Sequence, residues 1–367
     1  MRSRRKKNRT VATLDDIAER VKVSRVTVSK ALRGHPDISE KTSRRVREVA
    51  EEIGYRPNIM ARSLSARRSR MIGLVVPKVA HFFFGSVIEG IFEKAFTNNY
   101  ETILTVSQED PDRERRYLET LVSMRVDGII ISVSQKTREH EIFRWVRTLG
   151  VPLLFLDRQP FPAPEGFSSV LVDDRGGAFT ATEHAIAIGY QRIACVGGDV
   201  HINIGWERAA GFETAMRAHG LPLDKRWIIT GDFSRETGYD AVLRLYAERH
   251  LPELIFAMTS QVALGVYQAA KELGLRIPQD IDIICFGDSD ASGIISPALS
   301  CVRQPNYELG SKGMEVMLDI LAHPNPTQEQ HVVLPAELVL RETCTGKNMI
   351  KASMEARDHT GLQDPSS

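Results

Sequence analysis

From residue 71 onward, short apolar runs alternate with stretches of helical periodicity, and this alternation limits the fold more than any other feature. The runs MIGLVV, TILTV, GIIIS, PLLFL, SVLV, RIACV, WIIT, LIFAM, IDIICF and LSCV have the length of strands. Between them, residues 84–97, 113–124, 176–188, 208–220, 236–247 and 262–273 read as helices. Such β-α alternation predicts parallel sheets with helices on both faces. About 270 residues is too many for one core, so two lobes are expected. In folds of this kind ligands sit at the carboxyl ends of the strands, in the cleft between lobes.

The first 70 residues are different. The chain has 48 Lys+Arg and 47 Asp+Glu, of which residues 1–70 hold 20 and 8, leaving 28 and 39 for the remainder. A near-neutral total therefore hides a strongly basic N-terminal module, the footprint expected of a phosphate-binding surface. Within it, TLDDIAERVKV reads as a short helix with a capping box from Thr13 and Asp16. SRVTVSKALRG follows as a second helix, capped by Ser24 and stapled by Val23 against Val28. Two short helices joined by such a turn form a helix-turn-helix, whose second helix can enter the major groove of DNA. A third helix runs from the cap at Ser39 through Ile53, and Gly54 and Pro57 break it.

TLDDIAERVKVSRVTVSKALRG, with ISEKTSRRVREVAEEIGYRPNIMARSLSARRS after it, resembles the DNA-binding headpiece and hinge of the lac repressor (LacI) family without gaps. The resemblance implies an α/β protein: an all-α helix-turn-helix headpiece, then a two-lobed periplasmic-binding-protein-like domain with parallel sheets. The expected division is a disordered basic arm at 1–10, a DNA-binding domain at 11–57 and a hinge helix at 58–70. An effector-binding and dimerisation domain at 71–345 and a polar tail at 346–367 follow. Lobe 1 is expected at about 71–160 and 293–322, and lobe 2 at about 165–290 and 325–345. The three crossings are then near residues 158–169, 291–300 and 322–330, the first at the Pro-rich QPFPAPEG.

A regulator of this type is expected to be a cytoplasmic homodimer that binds a palindromic double-stranded operator as a repressor. Arg25, Val26 and Lys30 are then offered to base edges, while Ser24, Thr27 and Ser29 hold phosphates, beside Thr13. In the hinge, the resemblance makes Asn58 a cap, Arg62 a backbone contact and Leu64 the wedge between base steps. The bland reading of 58–70 is a flexible basic linker, and that of the arm is a solvated tail rather than extra phosphate contact.

A small metabolite, a sugar or sugar derivative, is expected in the cleft. His81, Phe83 and Phe84 follow the first strand, Ser134 the third, and Asp157 with Arg158 the fourth. Three consecutive aromatics can be core or can stack on a ligand face. Arg208 matches the family's effector-anchoring arginine, Phe233 its aromatic cover and Asp288 its hydroxyl acceptor. Thr259 and Ser260 stand where the family usually shows Asn-Asp, so the cleft is expected to be less acidic and poorer in amides there than usual, with room for an acidic or modified sugar.

Other classes fit poorly. The four cysteines, Cys195, Cys285, Cys301 and Cys344, form no CxxC pair, so neither a metal site nor a disulfide framework is expected. No GxGxxG, Walker A, HExxH or GxSxG sequence occurs, and no cofactor or enzymatic activity is expected. A simple solute-binding protein would carry a signal peptide and no basic headpiece, and no run is apolar and long enough to span a membrane. The tail lacks the apolar heptad through which tetrameric members of the resembled family associate, so the resemblance implies a dimer.

Overall fold

A computed structural model describes residues 12–56, 68–80, 82–323 and 329–346. The chain forms two compact units that meet in sequence between Ser69 and Arg70.

The N-terminal unit holds three helices: α1 (Leu14–Val21), α2 (Arg25–Leu32) and α3 (Glu40–Glu52). The expected capping box is present, with the Thr13 and Asp16 side chains each bonding the other's backbone N–H. Ser24 caps α2 by accepting from the Thr27 N–H, and Ser39 caps α3 by accepting from Thr42. Ile17, Ala18, Val28, Ala31, Val46, Val49 and Ala50 make the core, with Val23 packed against it.

The larger unit contains two six-stranded sheets. The first is built from β1 (Met71–Val76), β2 (Glu101–Val106), β3 (Gly128–Ile131), β4 (Leu153–Leu156), β5 (Ser168–Val172) and β11 (His331–Leu334), in the order β11-β5-β4-β3-β1-β2. All of its pairings are parallel. The second is built from β6 (Ile193–Val196), β7 (Ile228–Ile229), β8 (Leu254–Ala257), β9 (Asp282–Phe286), β10 (Cys301–Arg303) and β12 (Glu337–Val339), in the order β12-β10-β9-β8-β6-β7. Only β12 runs antiparallel there. The order reverses between β1 and β3 in one sheet and between β6 and β8 in the other. Such reversals open a crevice at the strands' carboxyl ends.

The helices are α4 (Phe82–Thr97), α5 (Pro111–Ser123), α6 (Glu141–Thr148), α7 (Asp174–Ala187), α8 (Asn203–Ala218), α9 (Arg235–Ala247), α10 (Ser260–Leu273) and α11 (Asn306–Ala322). Against the first sheet, α4 and α11 approach closely, because a Cβ on Gly90 would stand 2.2 Å from the Tyr307 carbonyl oxygen. A larger residue at Gly90 would therefore force the two helices apart.

The crossings between lobes fall later than the sequence suggested. Strand β5 pairs with β4 in the first sheet, Leu154 opposite Ser168, so QPFPAPEG is a surface loop and not a crossing. The chain crosses instead at Asp173, at Gln304–Pro305, and at Pro335–Ala336 between β11 and β12. Prolines end a ladder, but they do not dictate which sheet receives the next strand. The expected limits of the lobes, 165–290 for lobe 2 and 293–322 for lobe 1, therefore shift: β5 and β11 belong to lobe 1 and β10 to lobe 2. Helix α6 had not been expected. Its eight residues carry Ile142, Phe143 and Val146 on one buried face, too short a pattern to stand out.

Candidate functional site

Between the two sheets, side chains from seven strand ends meet in one cleft. After β1 come Phe83 and Phe84; after β4, Asp157 and Arg158; after β6, Ile204 and Arg208; after β7, Phe233. Thr259, Ser260 and Gln261 follow β8, while Phe286 ends β9 and leads into Gly287, Asp288 and Ser289. Gln304 follows β10.

Arg208 sits in the second turn of α8 and is 3% exposed. Its Nε and Nη2 both reach Asp174 Oδ1 at 2.8 Å, and its Nη1 donates to the Met258 carbonyl at 2.6 Å. The guanidinium carbon lies over Phe286, 3.8 Å from the ring centroid. A buried pair of this kind is held by geometry, and losing one partner would cost roughly 3–5 kcal/mol. Burial raises the Asp174 carboxyl above its usual range, while Arg208 pulls it down.

Arg158 is the second cleft guanidinium. Its Nη1 donates to Glu109 Oε1 at 2.9 Å, and both side chains are almost buried. Its Nε lies 3.8 Å from Asp157 Oδ2, beyond hydrogen-bond reach, and has no partner among the described residues. Asp157 adopts φ +62°, in the left-handed region. Burial pushes its carboxyl up to about 7, against the pull of Arg158 and Arg208 and with a further push from Asp174.

Asp288 is held from outside the cleft. Its Oδ2 accepts from Arg341 Nη2 at 2.7 Å and from Arg303 Nε at 3.0 Å. Its Oδ1 is buried and unpartnered among the described residues. Burial alone would raise this carboxyl, but the bonds from Arg341 and Arg303 bring it below the ordinary range.

The cleft thus gathers Phe83, Phe84, Arg158, Arg208, Phe233, Asp157, Thr259 and Asp288 of the candidates drawn from sequence. Ser134 does not join them. It is fully buried, its hydroxyl bonded to Ser107 at 2.8 Å and its N–H to Glu114 at 2.6 Å, so it belongs to the wall behind the cleft. His81, Asn58, Arg62 and Leu64 lie outside the described residues. Thr259 caps α10 by accepting from the Val262 N–H at 3.3 Å. Thr259 and Ser260 both line the cleft and bring no carboxylate to it at that position. Asp157 and Asp288 also line it, and Asp174 and Glu109 stand behind its arginines.

Sequence reasoning missed Ile204, Gln261, Phe286, Gly287, Ser289 and Gln304. Gln304 ends its strand as a polar residue and carried a usable signal, whereas Ile204 and Phe286 read as ordinary core. Asp173 caps α7, accepting from the Gly176 N–H at 2.8 Å, but Asp174 turns inward to Arg208.

In the N-terminal unit, α2 exposes Arg25 and leaves Val26 65% exposed. A large apolar side chain left this open at a helix start is available to a partner. Arg25 makes only a 3.8 Å pair with Asp15, whereas Lys30 is bound to Asp37 at 3.0 Å. The Ser24 and Thr27 hydroxyls bond each other at 2.9 Å, and Ser29 is half-buried.

Residues 13–58 match the family described as bacterial regulatory proteins, lacI family, and residues 182–344 match the periplasmic binding protein-like domain. Catabolite control protein A of Priestia megaterium is 30% identical over 332 residues, covering 90% of this chain and 98% of that protein. The chain belongs to the LacI family. The HTH-type transcriptional repressor CytR of Escherichia coli, another LacI-family relative, is also 30% identical, covering 92% and 97% of the two chains. Among solved structures, the lac repressor dimer bound to operator and the anti-inducer ONPF superposes with a TM-score of 0.77 at 24% identity. That superposition covers 91% of this LacI-family chain and 99% of the repressor chain. These relatives are regulators rather than enzymes. Among the described residues no helix is long and apolar enough to cross a membrane.

Proposed function

We propose that this LacI-family regulator is a repressor that binds a palindromic operator as a dimer and answers to a small polyhydroxylated molecule in the cleft. The exposed start of α2 carries the DNA half of this reading. Arg25 is free enough to donate to guanine, and Val26 offers apolar contact to a thymine methyl. Ser24, Thr27 and Ser29 serve the backbone, after the Ser24 and Thr27 hydroxyls give up the bond they make to each other. Leu64, Asn58 and Arg62 retain the hinge roles implied by the family resemblance.

The single observation that carries the effector half is the pair of unsatisfied buried atoms in residues lining the cleft. The Nε of Arg158 needs an acceptor, and Oδ1 of Asp288 needs a donor. Buried polar groups left unpaired are costly, and a ligand with hydroxyl groups supplies both partners. Binding would alter the angle between lobes, and the coupling to DNA is reciprocal. In the lac repressor dimer an operator and a small anti-inducer are bound together, which supports this division of labour.

The test begins with selection of duplexes from a randomised pool by the purified protein. A palindromic consensus is expected. Fluorescence anisotropy then follows operator affinity across a panel of sugars and nucleosides, in the wild type and in Arg208→Ala. An active ligand should lose its effect in the variant while operator binding persists. A variant that still responds fully would refute the assignment of the cleft.

A further inference from the structure

We propose that Glu109, a residue outside the cleft lining, sets its charge selectivity by cancelling Arg158, so that the site takes an uncharged ring-shaped ligand and rejects anions. This inference rests on the reading of the cleft as the effector site.

Two guanidiniums in one cleft would ordinarily suit a carboxylate or phosphate. Here each already carries a carboxylate. Arg208 directs Nε and Nη2 at Asp174 and Nη1 at a carbonyl, three of its five N–H donors. Arg158 is bound by Glu109 at 2.9 Å, with Asp157 on its other side at 3.8 Å. The remaining lining carboxylate, Asp288, is matched by Arg303 and Arg341. Each cleft guanidinium therefore has its own carboxylate, Asp174 for Arg208 and Glu109 for Arg158.

Glu109 is held in place for this role. It follows β2 at φ +59°, and the preceding Gln108 is also left-handed at +58°. Two successive non-glycine residues in that region are strained and must be fixed by their surroundings. The fixing contacts are the Arg158 guanidinium on Oε1 and the Gln135 N–H on Oε2, at 2.8 Å. An arriving anion would meet Arg158 with a carboxylate already on it, in a setting where charges are poorly screened. A hydroxyl or carbonyl oxygen can still accept from Nε without opposing Glu109. The four phenyl rings in the lining, Phe83, Phe84, Phe233 and Phe286, favour a ligand with flat or apolar ring faces. Free sugars and nucleosides share this chemistry.

The probe is inorganic phosphate, titrated into the full chain at constant ionic strength with thermal unfolding as the readout. Wild type should show no saturable stabilisation. Glu109→Gln should gain one, and adding Arg158→Gln should remove it again. Glu109→Asp keeps the charge and should stay blind to phosphate, which separates charge from packing. Saturable stabilisation of wild type that Arg158→Gln abolishes would overturn the proposal, as would a folded Glu109→Gln that remains blind. If Glu109→Gln does not fold, glucose against glucose 6-phosphate and cytidine against its monophosphate decide on wild type. Greater stabilisation by an anionic member overturns the proposal, and stabilisation by a neutral member alone supports it and names the source. Failure of the regulator reading would appear separately, as absence of any selected operator.

Discussion

Arg138 donates through Nη2 to Asp199 Oδ2 at 2.6 Å, tying the segment after β3 in one lobe to the segment after β6 in the other. Three residues earlier, Gln135 Oε1 accepts from the Phe233 N–H at 3.3 Å, a second tie across the cleft. The Arg138 side chain is 40% exposed, so the ion pair contributes about 0–1 kcal/mol after screening. Arg138→Ala should therefore shift the balance between open and closed lobes by up to about fivefold. Hydrogen exchange at the Phe233 amide should quicken accordingly, and exchange unchanged from wild type would mean that the pair does not hold the lobes.

Arg341 reaches Asp288 from beyond the last strand, and its other amine donates to the Leu299 carbonyl at 2.7 Å. The outcome is a carboxylate with one oxygen held and the other buried without a hydrogen-bond partner among the described residues. Arg341→Met should leave Asp288 to the more exposed Arg303 and weaken effector binding about tenfold, the value of one hydrogen bond to a charged group. Operator affinity without effector should stay at the wild-type level. Arg341→Lys should recover only part of the loss, because one amine cannot serve both acceptors. Calorimetry with any ligand found in the panel gives the comparison, and an unaltered Kd would exclude this role.

Much of the fold could be read from the sequence, since strands such as MIGLVV and IDIICF appear where their apolar runs stand. The capping of α1 and α2 was equally legible, because Thr13 and Ser24 act on residues three positions away. The cleft was partly legible: residues that immediately follow a strand, such as Asp157 and Asp288, could be placed. What stayed hidden depends on partners distant in sequence. Glu109 meets Arg158 across 49 residues and Arg341 meets Asp288 across 53, and no local pattern announces either pair. The crossings were misplaced for the same reason, since the sheet that receives a strand is decided by neighbours such as Leu154 and Ser168.

Glu114 should make the stability of the larger unit fall as pH rises. It is 1% exposed, and burial pushes its carboxyl up to about 7, although bonds from Ser134 and Thr137 pull it down. In the unfolded chain the group titrates near its ordinary 4.5. The folded state thus binds the extra proton between those values. The cost is absent below the unfolded pKa, grows through the window and is complete above about 7, on the order of a few kcal/mol. Glu114→Gln should flatten the dependence of Tm on pH between 4.5 and 7 while keeping its bonds to Ser134 and Thr137. An equal slope in the variant would assign the dependence elsewhere.

Lys30 and Asp37 supply the last expectation. The ammonium donates to the carboxylate at 3.0 Å, and His35 lies 3.3 Å from the same oxygen. The bond from Lys30, with His35 beside it, holds the Asp37 carboxyl below its ordinary range. Lys30 must therefore loosen this partner before it can meet a base or a phosphate, whereas Arg25 has only a long pair to give up. Asp37→Asn removes a negative charge beside the recognition helix and frees the lysine at once. Affinity for nonspecific duplex DNA should rise, and the slope of log affinity against log salt should steepen by about one. Arg25→Ala should behave differently, losing about 1–3 kcal/mol on the selected operator and far less on random duplex. If Asp37→Asn leaves both affinity and salt slope unchanged, Lys30 does not contact DNA, and recognition by α2 narrows to Arg25 and Val26.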